Sequence, residues 1–477
     1  MALSAVGIAA GILNMAIVAG IMVPHPPLII PEVGQGQEER IPETVKSYKK
    51  AAEFIAAQKP QAIVIITPHT MLYSDYFHIS PGAGASGDFS RFGAPQVKFS
   101  VNYDEEFVRE LSDAAQKAGV AAGTLGERDK TLDHAALVPI AFLRKAGIGE
   151  DTKRVRIGLS GLPLADHYRL GQLIKATAEK LGRRTVIIGS GDLSHRLKED
   201  GPYGFNPDGP RYDKRIMKVM GAGAFGELFD FGETFCESAA ECGHRSFVIM
   251  AGAFDGTSVE AERLSYEGPF GVGYGVCLFR PTAPDAKRNF LSEFEKKDAA
   301  RLAEIKKKED AYVRLARAAV EEYVKSGRII EVPADLPKEI TGRRAGAFVS
   351  LKKDGRLRGC IGSIGPSTPS LAHEIINYGI CAAVQDSRFV PVTPGELSKL
   401  VYSVDVLGES EKIDSPSQLD VKRYGVIVTN GGRRGLLLPD IEGVNTVEEQ
   451  IAIAKQKAGI GENEPVTLER FEVVRHH

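Results

Sequence analysis

Between Ala16 and Phe279, short aliphatic runs alternate with longer segments whose apolar residues recur every three or four positions. The short runs predict strands at Ala16–Val23, Ala62–Thr67, Val155–Ser160, Thr185–Gly189 and Gly273–Phe279. The longer segments predict helices at Pro42–Lys59, Glu105–Ala118, Ala135–Lys145, Ala165–Leu181, Lys214–Gly221 and Arg245–Phe254. Runs such as AIVIIT and TVIIGS offer almost no polar face, so both sides of those strands are expected to be covered. Residues 15–280 therefore read as α/β, a largely parallel or mixed sheet flanked by helices.

The pattern breaks at residues 281–308, where PTAPDAKRN leads into a charge-dense stretch ending in Ile305-Lys306-Lys307-Lys308 and reads as a linker. Beyond it, Tyr312, Leu315, Ala316, Ala319, Val320, Tyr323 and Val324 lie on one helical face, with Gly327 as a stop. Lys353-Asp354-Gly355 and Asn430-Gly431-Gly432 each separate two β-prone runs, as hairpin turns do. Residues 309–477 are expected to form a smaller α+β domain.

Composition narrows the function classes. Sixty Lys+Arg balance 62 Asp+Glu, with no basic block, so nothing points to nucleic acid. Five cysteines at scattered spacings build no disulfide framework and suit a reducing, cytoplasmic setting. No charged residue precedes Glu32, yet three glycines and Asn14 interrupt that run and no Lys or Arg opens it. A membrane or export role is the lesser reading, and Met15 is expected to begin the folded part.

Chemistry concentrates in the histidines. His25 follows the first predicted strand, His69 follows AIVIIT, and His195 follows TVIIGS. If these strands are parallel, all three side chains hang from one carboxyl edge, where open α/β sheets place their ligand crevice. One histidine after a strand is an ordinary loop residue; three at equivalent positions suggest a metal site. His78 and His167 lack that placement and read as surface or packing residues, and His476 and His477 as terminal residues or part of a tag.

PHPP, TPHT, LDHAALVPI and GDLSH, in that order, resemble the class III extradiol dioxygenase superfamily (LigB-like), which includes Memo-type proteins. The resemblance implies that His25 and His69 are ligands of a non-haem ferrous site, with zinc or copper as other ions. It also implies that His195 is the acid/base and that His134 lines the substrate pocket. Asp192 would orient His195, or else cap a turn. The third ligand is open, because ring-cleaving members use a glutamate and Memo-type members a cysteine before a glycine. Here Glu241 and Cys242-Gly243 are adjacent, with the Cys-Gly pair the better match. The implied reaction is dioxygen-dependent oxidation or ring cleavage of a small aromatic, catechol-like substrate. The alternative is a redox metal-binding or scaffold protein without ring cleavage.

Other chemistries fare worse. No G-x-S-x-G elbow accompanies Asp192, Ser194 and His195, no Walker loop occurs, and GVGYG fails the dinucleotide spacing. In the second domain LRGCIG (357–362), Asp386-Ser387-Arg388-Phe389 and YSVDVL (402–407) resemble an AMMECR-type domain, although the family's second motif has proline where Ser387 stands. Cys360 reads as a small strand residue or as a reactive thiol, and Arg358 and Arg388 as a clamp for a carboxylate or phosphate if the fold joins them. The fused arrangement resembles the protein A family of the AmmeMemoRadiSam system, which implies a radical S-adenosylmethionine protein as partner.

Overall fold

A computed structural model describes residues 15–441 and 443–477, so the segment upstream of Met15, on which the membrane or export reading bears, lies outside the described residues. No described helix is long and apolar enough to cross a membrane. The chain forms two compact units, divided between Glu295 and Lys296.

The first unit begins with β1 (Ile17–Val23), α1 (Pro42–Ala57) and β2 (Ala62–Thr67). A hairpin of β3 (Gly84–Phe89) and β4 (Ala94–Asn102) follows, then α2 (Glu105–Lys117) and α3 (His134–Lys145). Next come β5 (Lys153–Gly158), α4 (Leu164–Leu181), β6 (Thr185–Ser190) and α5 (Asp208–Gly221). The unit continues with α6 (Glu233–Ala239), α7 (His244–Gly252), β7 (Thr257–Glu267), β8 (Tyr274–Pro284) and α8 (Phe290–Lys308), inside which the division falls. Its sheet has six strands in the order β5-β2-β6-β1-β8-β7. The first four are parallel, and β8 and β7 close the far side antiparallel.

The unbroken aliphatic strands are explained by their surroundings. Along β2, Ala62, Val64 and Ile66 enter one core while Ile63 and Ile65 enter the other. One core packs α2, α4, α5 and α7 through residues such as Phe107, Ile174, Ile216 and Phe247, and the other packs α1 and α3 through Tyr48, Ile55 and Ile140. Each fully buried aliphatic side chain contributes about 1.5–3 kcal/mol, and a polar residue on either face would forfeit it.

The second unit holds α9 (Ala311–Ser326), β9 (Ala347–Lys353), β10 (Arg356–Gly362), α10 (Leu371–Val384), β11 (Leu400–Leu407) and β12 (Glu411–Ile413). It ends with β13 (Tyr424–Asn430), β14 (Arg433–Leu437), α11 (Val447–Lys457) and β15 (Thr467–His476). These strands make one antiparallel sheet in the order β10-β9-β11-β15-β13-β14, with β12 added to β15. Asp354 and Gly355 turn the first hairpin with φ of 52° and 81°, the left-handed pair that tight hairpins require. Asp310 caps α9, and Gly327 ends it at φ 73°.

His78 and His167 are fully buried, as packing residues are. Two expectations need correction here. His476 is part of β15, stacked on Tyr312 at 3.7 Å and bonded to Asp310 at 2.5 Å, which is a structural role. Arg358 and Arg388 do not form an open clamp. Arg358 pairs with Glu396 at 3.0 Å, Arg388 pairs with Asp386 at 2.6 Å, and both lie over Phe389. Cys360 sits on β10, its sulfur accepting the Ser350 hydroxyl at 3.1 Å, with burial pushing the thiol pKa up.

Candidate metal centre

Because β2, β6 and β1 are adjacent and parallel, the residues just after them converge at one carboxyl edge. His25 follows β1, His69 follows β2 and His195 follows β6. The start of α3 brings His134 to the same place. Donor atoms of His25, His69 and His134 all lie within 4.8 Å of one another. His25 is buried, His134 half-buried and His69 exposed, so the group runs from the interior to the surface.

The tautomer of His25 follows from its neighbour. Ser190 has one hydroxyl proton and donates it to Ala135 O at 2.7 Å. At 3.0 Å, His25 Nδ1 must therefore donate to Ser190 Oγ, which leaves Nε2 as a bare lone pair. That Nε2 faces His69 Nε2 at 3.1 Å and Cys242 Sγ at 3.6 Å. Two imidazoles sharing an ion at ~2.1 Å sit roughly 3.0–3.4 Å apart, and an imidazole and a thiolate roughly 3.6 Å. The donor set thus fits a metal ion. His69 also stacks on His134, with ring centres 4.5 Å apart.

Electrostatics agree with a cation in this place. Burial holds the His25 pKa well below 6.5, and the nearby His69, His134 and His195 lower it further. Burial and His69 push His134 down to about 4. His69 is lowered by burial, with Asp133 pulling the other way. Near neutral pH the group is uncharged imidazole, the form that binds metals. Burial pushes the Cys242 thiol well above its usual range, so a bound cation would have to draw off its proton.

Glu241 and Cys242 are adjacent in sequence but face different ways. Glu241 accepts the backbone N–H of His244 at 2.6 Å, at the start of α7, and it is absent from the histidine group. Its carboxylate answers the unpaired amides of a helix start, and Cys242 is likewise outside the histidine group. Cys242 Sγ instead accepts the Asp192 N–H at 3.3 Å. Gly191 and Gly243 make this approach possible, since a Cβ on Gly191 would lie 2.1 Å from Gly243 Cα.

Asp192 also departs from its expected role. Its Oδ1 accepts the His25 backbone N–H at 2.7 Å and its Oδ2 lies 4.0 Å from His25 Nε2, so it orients His25 rather than His195. Burial raises its carboxyl to about 7. His195 meets Tyr203 edge-on at 5.3 Å, and its buried Nδ1 has no hydrogen-bond partner. Burial lowers its pKa, leaving a neutral ring able to accept a proton.

A cleft of about 1010 Å³ opens over His69 and His134, with Arg91, Phe92, Asp129 and Arg144 along its walls. Phe92, at the tip of the β3–β4 hairpin, meets His134 at 5.4 Å. The sequence reading missed this hairpin. It also missed Ser190, Asp133 and the closeness of His134 to the other two rings. The one signal for these was an Asp-His pair at a helix start.

Residues 19–277 match the family described as the catalytic LigB subunit of aromatic ring-opening dioxygenase, and residues 313–476 match the AMMECR1 family. A Clostridium acetobutylicum protein is 40% identical over 463 residues, covering 95% of this chain and 98% of that protein. A Thermotoga maritima protein is 54% identical over 170 residues, 35% of this chain and 98% of that protein. The crystal structure of an uncharacterized protein from Pyrococcus horikoshii is 38% identical and covers 34% of this chain and 88% of that one, with a TM-score of 0.33. The chain belongs to the LigB family of aromatic ring-opening dioxygenase subunits, with an AMMECR1 domain following in the same polypeptide.

Proposed function

We propose that the first unit is a non-haem, metal-dependent oxidoreductase acting on a small aromatic, catechol-like substrate in the cleft over His69 and His134. The observation that carries this reading is the 3.1 Å approach of the His25 and His69 Nε2 atoms, with the His25 lone pair turned inward. His25 and His69 would hold the ion, ferrous iron in this reading, which when bound would supply redox and Lewis-acid chemistry. Phe92 and the His134 ring flank the space a flat substrate would enter. His195 takes the proton of a substrate hydroxyl at its ring nitrogen and returns it later. In the alternative reading, a redox metal-binding or scaffold protein, the second unit would serve as the partner-binding half, toward a radical S-adenosylmethionine protein.

The position of Cys242 favours a second reading. A thiolate donor suits zinc or copper better than it suits oxygen activation by iron. The protein would then be a redox metal carrier without ring cleavage.

Metal analysis of anaerobically purified full-length protein separates the two, using wild type, His25→Ala, His195→Ala, Cys242→Ala and Glu241→Ala. The first reading expects near-stoichiometric iron that survives Cys242→Ala and catechol turnover that is lost in His195→Ala. Zinc or copper lost with Cys242, and no catechol turnover, would establish the second. Loss of metal in His195→Ala would overturn the acid/base role in either case.

A further inference from the structure

Asp133 lies where the two outer histidines are joined. It immediately precedes α3, and its Oδ1 caps that helix by accepting the Ala136 N–H at 3.1 Å. The same oxygen accepts the hydroxyl of Thr67, the last residue of β2, at 2.6 Å. Thr67 Oγ1 in turn accepts the backbone N–H of His69 at 3.2 Å. One carboxylate oxygen therefore ties the turn that carries His69 to the helix start that carries His134.

The other oxygen, Oδ2, is buried and has no hydrogen-bond partner. It faces Arg156, whose Nη1 lies 3.9 Å away. Arg156 is only 2% exposed, on a strand where its neighbours Val155 and Ile157 belong to the core. Its Nε donates to Ser80 Oγ at 2.8 Å and its Nη1 to Thr131 O at 2.6 Å, which fixes the segment leading into Asp133. Its Nη2 lies 3.8 Å from Glu127 Oε1, so Asp133 and Glu127 together balance a charge that would be costly to bury alone.

Ser190 and Asp192 hold His25 from β6 and the loop beyond. Its one hydrogen-bonded link to this network is the Ser190 hydroxyl, which donates to Ala135 O in the first turn of α3.

We propose that Asp133 is a positioning residue that sets His69 and His134 against each other, with Arg156 as its buried counter-charge. Its consequence for metal binding rests on the metal-centre reading above. The arrangement of the two rings does not.

The test uses the full-length chain with Asp133→Ala, Asp133→Asn and Thr67→Val. Histidine-ring NMR on metal-free protein reads the mutual ring-current shifts of His69 and His134, and titration with Co²⁺ alone reads affinity. Asp133→Ala is expected to lose the mutual ring-current shifts of His69 and His134 and to weaken Co²⁺ at least tenfold. Asp133→Asn keeps an oxygen for Thr67 and Ala136, so it should retain the stack and lose less than threefold. If Asp133→Ala does not fold, Thr67→Val cuts the same link from the β2 side and should show the same loss. Wild-type shifts in both Asp133→Ala and Thr67→Val would overturn the proposal. If wild type binds no Co²⁺, the metal-centre reading fails, and the NMR arm still decides the positioning.

Discussion

Ser190 acts on the centre without belonging to it. Its proton is committed to Ala135 O, so it can only accept from His25 Nδ1 and holds that ring in the ligand tautomer. Ser190→Ala would leave the ring free to place its proton on Nε2. Partners of this kind typically change metal affinity by about 10–100-fold, and a Co²⁺ titration of Ser190→Ala should show a loss of at least tenfold with the melting temperature of the metal-free protein little changed. At this scale the sequence was only partly legible. His25, His69 and His195 were found because they follow strands. The adjacent Glu241 and Cys242 could not be told apart, because the turn into α7 sends one to the helix amides and the other toward His25.

At the scale of elements, the centre depends on how closely two loops approach. The loop after β6 and the turn before α7 touch at Gly191 and Gly243, and no side chain fits between them. Gly191→Ala should push the loops apart, costing about 1–3 kcal/mol by overpacking. It should also pull the Cys242 sulfur from His25. Thermal denaturation of the metal-free protein and metal content after purification measure the two effects; unchanged values for both would show that the loops yield without harm. The helices predicted in the first unit lie within a few residues of those observed, apart from α5, which starts at Asp208 rather than Lys214 because its first turn is polar; α6 was not predicted, and α8 occupies most of the expected linker at 281–308. The β3–β4 hairpin escaped because β3 is built of glycine, serine and charge, although Val97, Phe99 and Val101 of β4 alternate with polar residues as a half-buried strand does.

Across the whole molecule, buried neutral histidines make stability depend on pH. His167 is fully buried in the first unit, bonded through Nδ1 to Pro163 O, and burial holds its pKa down to about 3. The unfolded chain takes up that proton near pH 6.5 and the folded chain does not, so stability is complete above 6.5 and falls as the pH drops toward 3. At pH 5 the loss from this one residue is about 2 kcal/mol. Denaturant unfolding of wild type and His167→Gln between pH 7.5 and 5 should show a shallower acid slope in the variant; equal slopes would place the acid sensitivity elsewhere. The division into two units was visible as a change in composition after residue 280, and the structure sets it between Glu295 and Lys296, within α8.

Sequence alone determined the periodic features: a sheet buried on both faces, because its strands carry aliphatic residues in unbroken runs, and a shared edge for three histidines, because parallel strands deliver their ends to one side. It also determined two hairpin turns of the second unit, where Asp354, Gly355 and Gly431 occupy left-handed backbone at low cost. Tertiary structure alone decided which atoms face each other. The tautomer of His25, the separation of Glu241 from Cys242, the pairing of Arg358 and Arg388 with internal carboxylates, and the Asp133 link between β2 and α3 all depend on contacts between segments far apart in the chain. Such contacts are fixed by a few tenths of an ångström of packing, and no local pattern of residues encodes that distance.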